Sequence, residues 1–253
     1  EIEQPKSLSR ADSFIVEYKG RVYVFFEELL VGCNQKGYLS VGELDVASNS
    51  ILNVQKILEK EYHLSYPFIF EYQHEWYMVP ESGANLAIDL YKFTSFPDKL
   101  KKVKTLINNI DAVDTTIAIK DNMIYLFTNI RKNGGHHSGN LSLYYSDNLL
   151  NSDFIQHPES CLNNDDRYAR MAGSVIKEGE KMFRMAQDCG ISYGYCIHKF
   201  EILKLSKESY KEKLVETIYP FKGYGALHTF NKSENFEIID VVKNSASINN
   251  ILR

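Results

Sequence analysis

The segment ADSFIVEYKGRVYVFFEE, beginning at Ala11, is repeated in altered form three times further along the chain. The copies are SYPFIFEYQHEWYMVPES from Ser65, VDTTIAIKDNMIYLFTNI from Val113 and MAGSVIKEGEKMFRMAQD from Met171. In each copy the second residue (Asp12, Tyr66, Asp114, Ala172) precedes an aromatic by eleven positions: Tyr23, Tyr77, Tyr125, Phe183. Four positions beyond that aromatic stands Glu27, Glu81, Asn129 or Gln187. A period of 48 to 58 residues, each unit holding paired strands, is the signature of propeller blades. A propeller collects one position from every blade around a common axis, so these columns are candidate pocket positions.

Within the first copy, Ser13–Tyr18 is rich in aromatic and β-branched residues, Lys19-Gly20 turns the chain, and Val22–Phe26 runs back. Third strands follow at 38–44, 88–93, 141–146 and 195–200, and fourth strands at 51–58, 101–107, around Phe154 and at 214–219. A fifth, shorter unit is reached at His228, in ALHTFNKSENFEIIDV. The expectation is one all-β domain over residues 1–253, a five-bladed β-propeller with blades starting near 11, 65, 113, 171 and 227. The Lys- and Glu-rich stretch 204–213 reads as a short helix, and Arg131–Asn140 (RKNGGHHSGN) as an exposed Gly-rich loop. The run Lys99–Lys104 reads as a solvated edge strand whose charges discourage edge pairing.

Composition narrows the partners. A net charge of −4 gives no electrostatic footprint for a phosphate backbone or an anionic membrane, so no nucleic acid is expected. No apolar run is long enough to span a bilayer, and no signal-peptide core is present. Four cysteines at unrelated spacings, with no CxxC, read as thiols of a reducing compartment, and a cytoplasmic location is expected.

ADSFIVEYKGRVYVFFEE, HLSYPFIFEYQHEWYMVPES, DAVDTTIAIKDNMIYLFTN, RMAG with FRMAQDCGISYG, and LHTFN together resemble the family of the N-terminal domain of glucosamine inositolphosphorylceramide transferase. The resemblance runs from about Ala11 to Asp240. It implies kinship with family 43 glycoside hydrolase propellers, and bacterial relatives found alone or fused to formyltransferase-like domains in polysaccharide biosynthesis. It implies no settled activity, because the plant protein's transferase chemistry sits in another domain. In family 43 hydrolases an Asp opening the first inner strand is the general base, and an Asp of the third blade tunes an acid on the fourth. Asp12 and Asp114 match the first and third places. The fourth, Arg170-Met171-Ala172-Gly173, has no carboxylate, and Arg170 there suggests recognition of an anion. His228 resembles the fifth-blade histidine that lies beside a central ion or water.

The expected site follows. Inverting glycoside hydrolysis uses one carboxylate to activate water and another to protonate the leaving oxygen. Asp12, Asp114, Glu81 and Glu28 are the catalytic candidates; of the strand-end pair Glu27-Glu28, one points inward and one away. His63, Arg170, Gln187, Asp188, Tyr193 and His228 are the substrate-binding candidates. Adjacent His136 and His137 lack a fixed ligand geometry and read as loop residues. No cofactor is expected, a central ion beside His228 being the weaker reading. The function expected is a carbohydrate-active protein of surface-polysaccharide or glycolipid metabolism, acting on a glycosidic or glycosyl-phosphate bond. The alternative is a non-catalytic module that binds a glycan or nucleotide sugar for a fused or separate transferase.

Overall fold

The computed structural model describes residues 1–2, 4–32, 36–131, 136–243 and 248–252. Cys33 and residues 132–135 of the Gly-rich loop, singled out above, lie outside them. Short turns fold the chain into antiparallel meanders. Lys19-Gly20, Gln73-His74 and Asp121-Asn122 each place two successive residues at positive φ. That is the geometry of the tight hairpin turn whose twist matches the flanking strands. Gln73-His74 adopts it without Gly or Asn, because the strands on either side are committed by their buried residues.

The first sheet contains β1 (Leu8–Tyr18), β2 (Arg21–Leu30), β3 (Tyr38–Asp45) and β4 (Ser50–Leu58). The second contains β5 (Ser65–Tyr72), β6 (Glu75–Glu81), β7 (Ala87–Ser95) and β8 (Lys99–Asn108). The third contains β9 (Ala112–Lys120), β10 (Met123–Ile130), β11 (Leu141–Ser146) and β12 (Ile155–Gln156). In the fourth, β13 (Arg170–Met171) and β14 (Ile176–Glu178) both pair with β15 (Lys181–Gln187), followed by β16 (Ile197–Leu205) and β17 (Tyr210–Ile218). The last holds β18 (Tyr224–Lys232), β19 (Glu237–Lys243) and β20 (Ile248–Leu252). The arrangement is a β-propeller with four complete blades. Among the described residues the last sheet has three strands, so a ring of five four-stranded blades is not met in full.

The inner strands are apolar on both faces because each blade is sandwiched between two others, whereas the outer strands β4, β8 and β17 are largely exposed. On β2, Phe25 joins Phe14, Tyr66 and Phe93 between the first two blades. Its neighbours Val24 and Phe26 face the opposite way and pack with Ile15, Leu44 and Ile238 of the last sheet. Burying each such side chain contributes roughly 1.5–3 kcal/mol. Polar bonds finish the seam. Glu17 accepts from Ser233 Oγ at 2.7 Å and from the Asn235 backbone and side chain at 2.7 and 2.8 Å. Ile2 is buried against the last sheet, and Glu1 pairs with Lys243. The β8 run is an outer strand, as its lysines suggest, but Lys104 turns inward to donate to the carbonyls of Leu149 and Ser152 in the next blade.

Residues 204–213 are not helical. β16 and β17 form a hairpin closed by Ser206, whose N–H donates to Ser209 O at 3.0 Å. The strand alternation brings Tyr210 and Glu212 onto Arg184, a fully buried guanidinium held by both Glu212 oxygens at 2.7 and 2.8 Å. Leaving that cation unpaired would cost more than local helix propensity returns.

The inner strands break their ladders where they approach the axis. Register shifts fall between Ala11 and Phe14, Ser65 and Phe68, and Leu227 and Phe230, and in β10 between Phe127 and Asn129 opposite Asp114. At the first two and at Asp114 a non-glycine residue is left-handed: Asp12 at φ 54°, Tyr66 at 42°, Asp114 at 52°. Such a bulge leaves one residue unpaired and re-aims its side chain. In the fourth blade the break is Gly173, at φ 119°. The buried Tyr66 hydroxyl reaches it from the second blade, accepting from Gly173 N at 2.8 Å and donating to Gly173 O at 3.0 Å. Thr116 of the third blade sits 2.9 Å from the same hydroxyl. A Cβ on Gly173 would lie 2.1 Å from Phe230 O. Gly173→Ala therefore combines a backbone clash with left-handed strain, and we expect it to lower stability by about 3 kcal/mol or more in urea unfolding.

Candidate functional site

The bulges bring an acid cluster to the axis. Asp12 is buried, takes the Tyr66 N–H on Oδ2 at 3.2 Å, and faces His228 Nδ1 with Oδ1 at 2.8 Å. Asp114, equally buried, receives Arg170 Nε at 2.7 Å, and its own N–H donates to Glu81 Oε2 at 3.3 Å. Asp240, on β19, accepts from Ser13 N at 3.0 Å and Thr229 Oγ1 at 2.9 Å. Ser13 thus ties the residue next to Asp12 to the last sheet, and Asn231 completes the joint by donating to Ser13 O and accepting from Ser174 N.

Protons are unequally shared in this cluster. Burial pushes Asp12 upward, but the His228 charge and hydrogen bond, with Arg170 behind them, hold it below the usual carboxylate range. Burial likewise works against His228, and the Asp12 carboxylate more than reverses it, raising the imidazole above its ordinary value. Glu27 is pushed well up by burial and by the charges of Asp12, Glu81 and Asp240. Glu81 is also pushed well up, by burial and Asp114, against the pull of Arg170. Asp240 rises to about 6, through burial and then Asp12. One carboxylate kept ionised among carboxyls kept protonated is the arrangement that separates base from acid.

Two side chains border solvent. His63 accepts the Gly37 N–H on Nδ1 at 3.0 Å, which turns Nε2 toward Glu27 Oε1 at 3.3 Å, with nearly half of the ring exposed. Gly37 permits this approach, since a Cβ there would lie 2.4 Å from Glu27 Oε1. On the other side the half-exposed Tyr193 ring lies 5.0 Å from the Arg170 guanidinium and 5.1 Å from the His228 ring, its hydroxyl bonded to His228 Nε2.

Of the expected residues, Asp12, Asp114, Glu81, Arg170, Tyr193 and His228 come together, with His63 at the edge. Glu28 does not join them: its carboxylate is taken by Arg10 Nε at 3.0 Å and Ser40 Oγ at 2.6 Å. Alternation places Glu27 at the axis instead. Gln187 is buried beside Gly194, and Asp188 turns to Gly190, Cys196 and His198. His137 anchors its loop by bonding Asp111 at 2.7 Å, while His136 is exposed. The strand-end column holds, with Glu27 opposite Ala11, Glu81 opposite Ser65 and Asn129 opposite Val113, but Gln187 falls opposite Arg170 rather than Met171. Asp240 carried no repeat signal; only its polarity within IIDVV marked it.

Asp12, His228 and Asp240 present donor atoms within 4.8 Å of one another, the set around which an axial cation would be held. At 2.8 Å Asp12 and His228 form an ion pair, and the imidazole, its proton affinity raised by the carboxylate, supplies positive charge to the cluster.

Fold and site together define a β-propeller with a buried acid–base cluster on its axis. Residues 3–237 match the family described as "Glucosamine inositolphosphorylceramide transferase 1, N-terminal", and the chain belongs to that family. Glucosamine inositolphosphorylceramide transferase 1 of Oryza sativa subsp. japonica is 30% identical over 206 residues, covering 80% of this chain and 27% of the relative. The Arabidopsis thaliana protein of the same name is also 30% identical, with 26% of its length covered. The chain thus spans about a quarter of the curated relatives it matches. Its fold is shared with a family 117 glycoside hydrolase of Zobellia galactanivorans (TM-score 0.66, 10% identity, 97% of this chain and 83% of that one). It is shared also with an alpha-L-arabinofuranosidase of Lactobacillus brevis (TM-score 0.64, 11% identity, 97% and 90%).

The raised Asp240 gives a pH test. Folded, it binds more protons than the unfolded chain between its ordinary value of 3.8 and about 6, so its contribution to stability declines as pH rises through that window. Asp240→Asn removes that slope. Measured by denaturant unfolding from about pH 4 to 6, the variant should gain on the wild type by about 2 kcal/mol as pH rises.

Proposed function

We propose that the propeller pocket acts on a glycosidic or glycosyl-phosphate bond of a glycan, glycolipid or nucleotide sugar. The observation that carries this reading is the split in proton affinity between Asp12 and the pair Glu27 and Glu81. In this scheme ionised Asp12 accepts a proton from water, whose oxygen attacks the anomeric carbon. The departing oxygen takes its proton from Glu27, the protonated carboxyl beside the half-exposed His63; Glu81 is the second protonated group. Arg170 uses Nε on Asp114, and its remaining donors suit a phosphate or a sugar carboxylate. The exposed face of Tyr193 offers a platform for a sugar ring. We read the three-stranded sheet as the fifth blade of the ring, because β18 delivers His228 to Asp12.

A second reading is a non-catalytic module that presents a glycan or nucleotide sugar to a partner transferase. Two observations favour it: Asp114 is neutralised by Arg170, and the chain covers only a quarter of its curated relatives. A thermal-shift screen with nucleotide sugars and oligosaccharides, followed by turnover assays, separates the two. Catalysis predicts that a sugar raises the melting temperature and that Asp12→Asn and Glu27→Gln each lower turnover by 100-fold or more, roughly the worth of a positioned acid or base. Binding without turnover supports the second reading. If no sugar stabilises the protein, both fall.

A further inference from the structure

Away from the axis, at the end of the fourth blade, Asp188, Cys196 and His198 converge with all three side chains buried. Asp188 follows β15, Cys196 precedes β16, and His198 lies on β16. Cys196 Sγ is 3.6 Å from His198 Nε2 and 3.7 Å from Asp188 Oδ2, and the His and Asp atoms are 3.2 Å apart. We propose that these three residues form a binding site for a thiophilic divalent cation, with zinc the best fit.

Three observations support it. First, bonds of about 2.3 Å to sulfur and about 2.0–2.2 Å to nitrogen and oxygen, at tetrahedral angles, separate the donors by about 3.6 Å (S–N), 3.6 Å (S–O) and 3.4 Å (N–O). The observed triangle, 3.6, 3.7 and 3.2 Å, comes within about 0.2 Å of those edges. Second, the Asp188–His198 separation of 3.2 Å is long for a charge-assisted hydrogen bond, which runs about 2.7–2.9 Å. Third, the atoms turned away from the triangle are already engaged, as the supports of metal ligands are. His198 Nδ1 lies 2.9 Å from Thr217 Oγ1, a hydroxyl able to accept its N–H and so free Nε2 as a ligand, and Asp188 Oδ1 accepts the Gly190 N–H at 2.8 Å. On binding, Cys196 releases its thiol proton to solvent and ligates as thiolate, and a fourth position is left for water or another ligand. The ion would staple the two ends of the segment 189–195, which carries Tyr193 over Arg170 and His228.

The test is titration of chelator-treated, full-length protein with Co2+, and with Zn2+ in competition with a chromophoric chelator. We expect one Co2+ per chain, with a thiolate-to-cobalt charge-transfer band and the visible bands of a tetrahedral ion. The thiolate band should vanish in Cys196→Ser and persist in Cys189→Ser and Asp12→Asn. Thr217→Val, which keeps all three ligands, should weaken Zn2+ binding by about 10–100-fold while leaving the circular dichroism unchanged. Binding without a thiolate band, a band that survives Cys196→Ser, or unaltered affinity in Thr217→Val would each overturn the proposal. Because the readout is the thiolate, none of these outcomes bears on the axial carboxyls.

Discussion

Left-handed backbone at the head of the inner strands is the constraint on which the rest of this structure depends. A strand that stayed regular to its end would keep alternating its side chains into the interblade cores and deliver nothing to the axis. Asp12, Tyr66 and Asp114 each accept a conformation that costs a non-glycine residue about 1–2 kcal/mol, and each is over-determined by what surrounds it. Tyr66 shows how. Its backbone N–H is bound by Asp12, while its hydroxyl is locked onto both polar groups of Gly173. One side chain thereby couples the strain of the first two blades to the break in the fourth.

That coupling fixes the electrostatics. Asp12 can remain ionised in a buried place only because His228 arrives from β18, and β18 is aligned by the Asn231 and Asp240 bonds to Ser13. Its charge in turn raises the proton affinity of Glu27 and Asp240. Arg170, at the start of the fourth blade, satisfies Asp114. In the proposed reaction the acid role falls to the ends of the second strands, where Glu27 and Glu81 lie.

Much of this was legible in the sequence. The repeat gave the blade boundaries and the column of inner-strand residues, because hairpin spacing is local chemistry. It also flagged the strand-end column, but the choice between Glu27 and Glu28 turned on strand parity and on Arg10, which lies in no repeat. Asp240 was silent because its importance comes from Ser13, 227 residues away in the chain. The stretch 204–213 misled because its lysines and glutamates report on helix propensity, whereas Arg184 decided the outcome from a different strand. The triangle at Asp188 was hidden for a similar reason: a hairpin turn, not a short ligand spacing, brings Cys196 and His198 back to it.

The unequal proton sharing on the axis has a calorimetric consequence. Among the described residues, the basic groups beside Asp12, Glu27, Glu81, Asp114 and Asp240 are Arg170, His228 and, at the edge, His63, so the pocket's net charge depends on where its protons reside. A ligand that brings its own charge will redistribute them, and some will pass to or from the buffer. The measured heat of association will then vary with the buffer's ionisation enthalpy, and the slope of that dependence counts the protons exchanged.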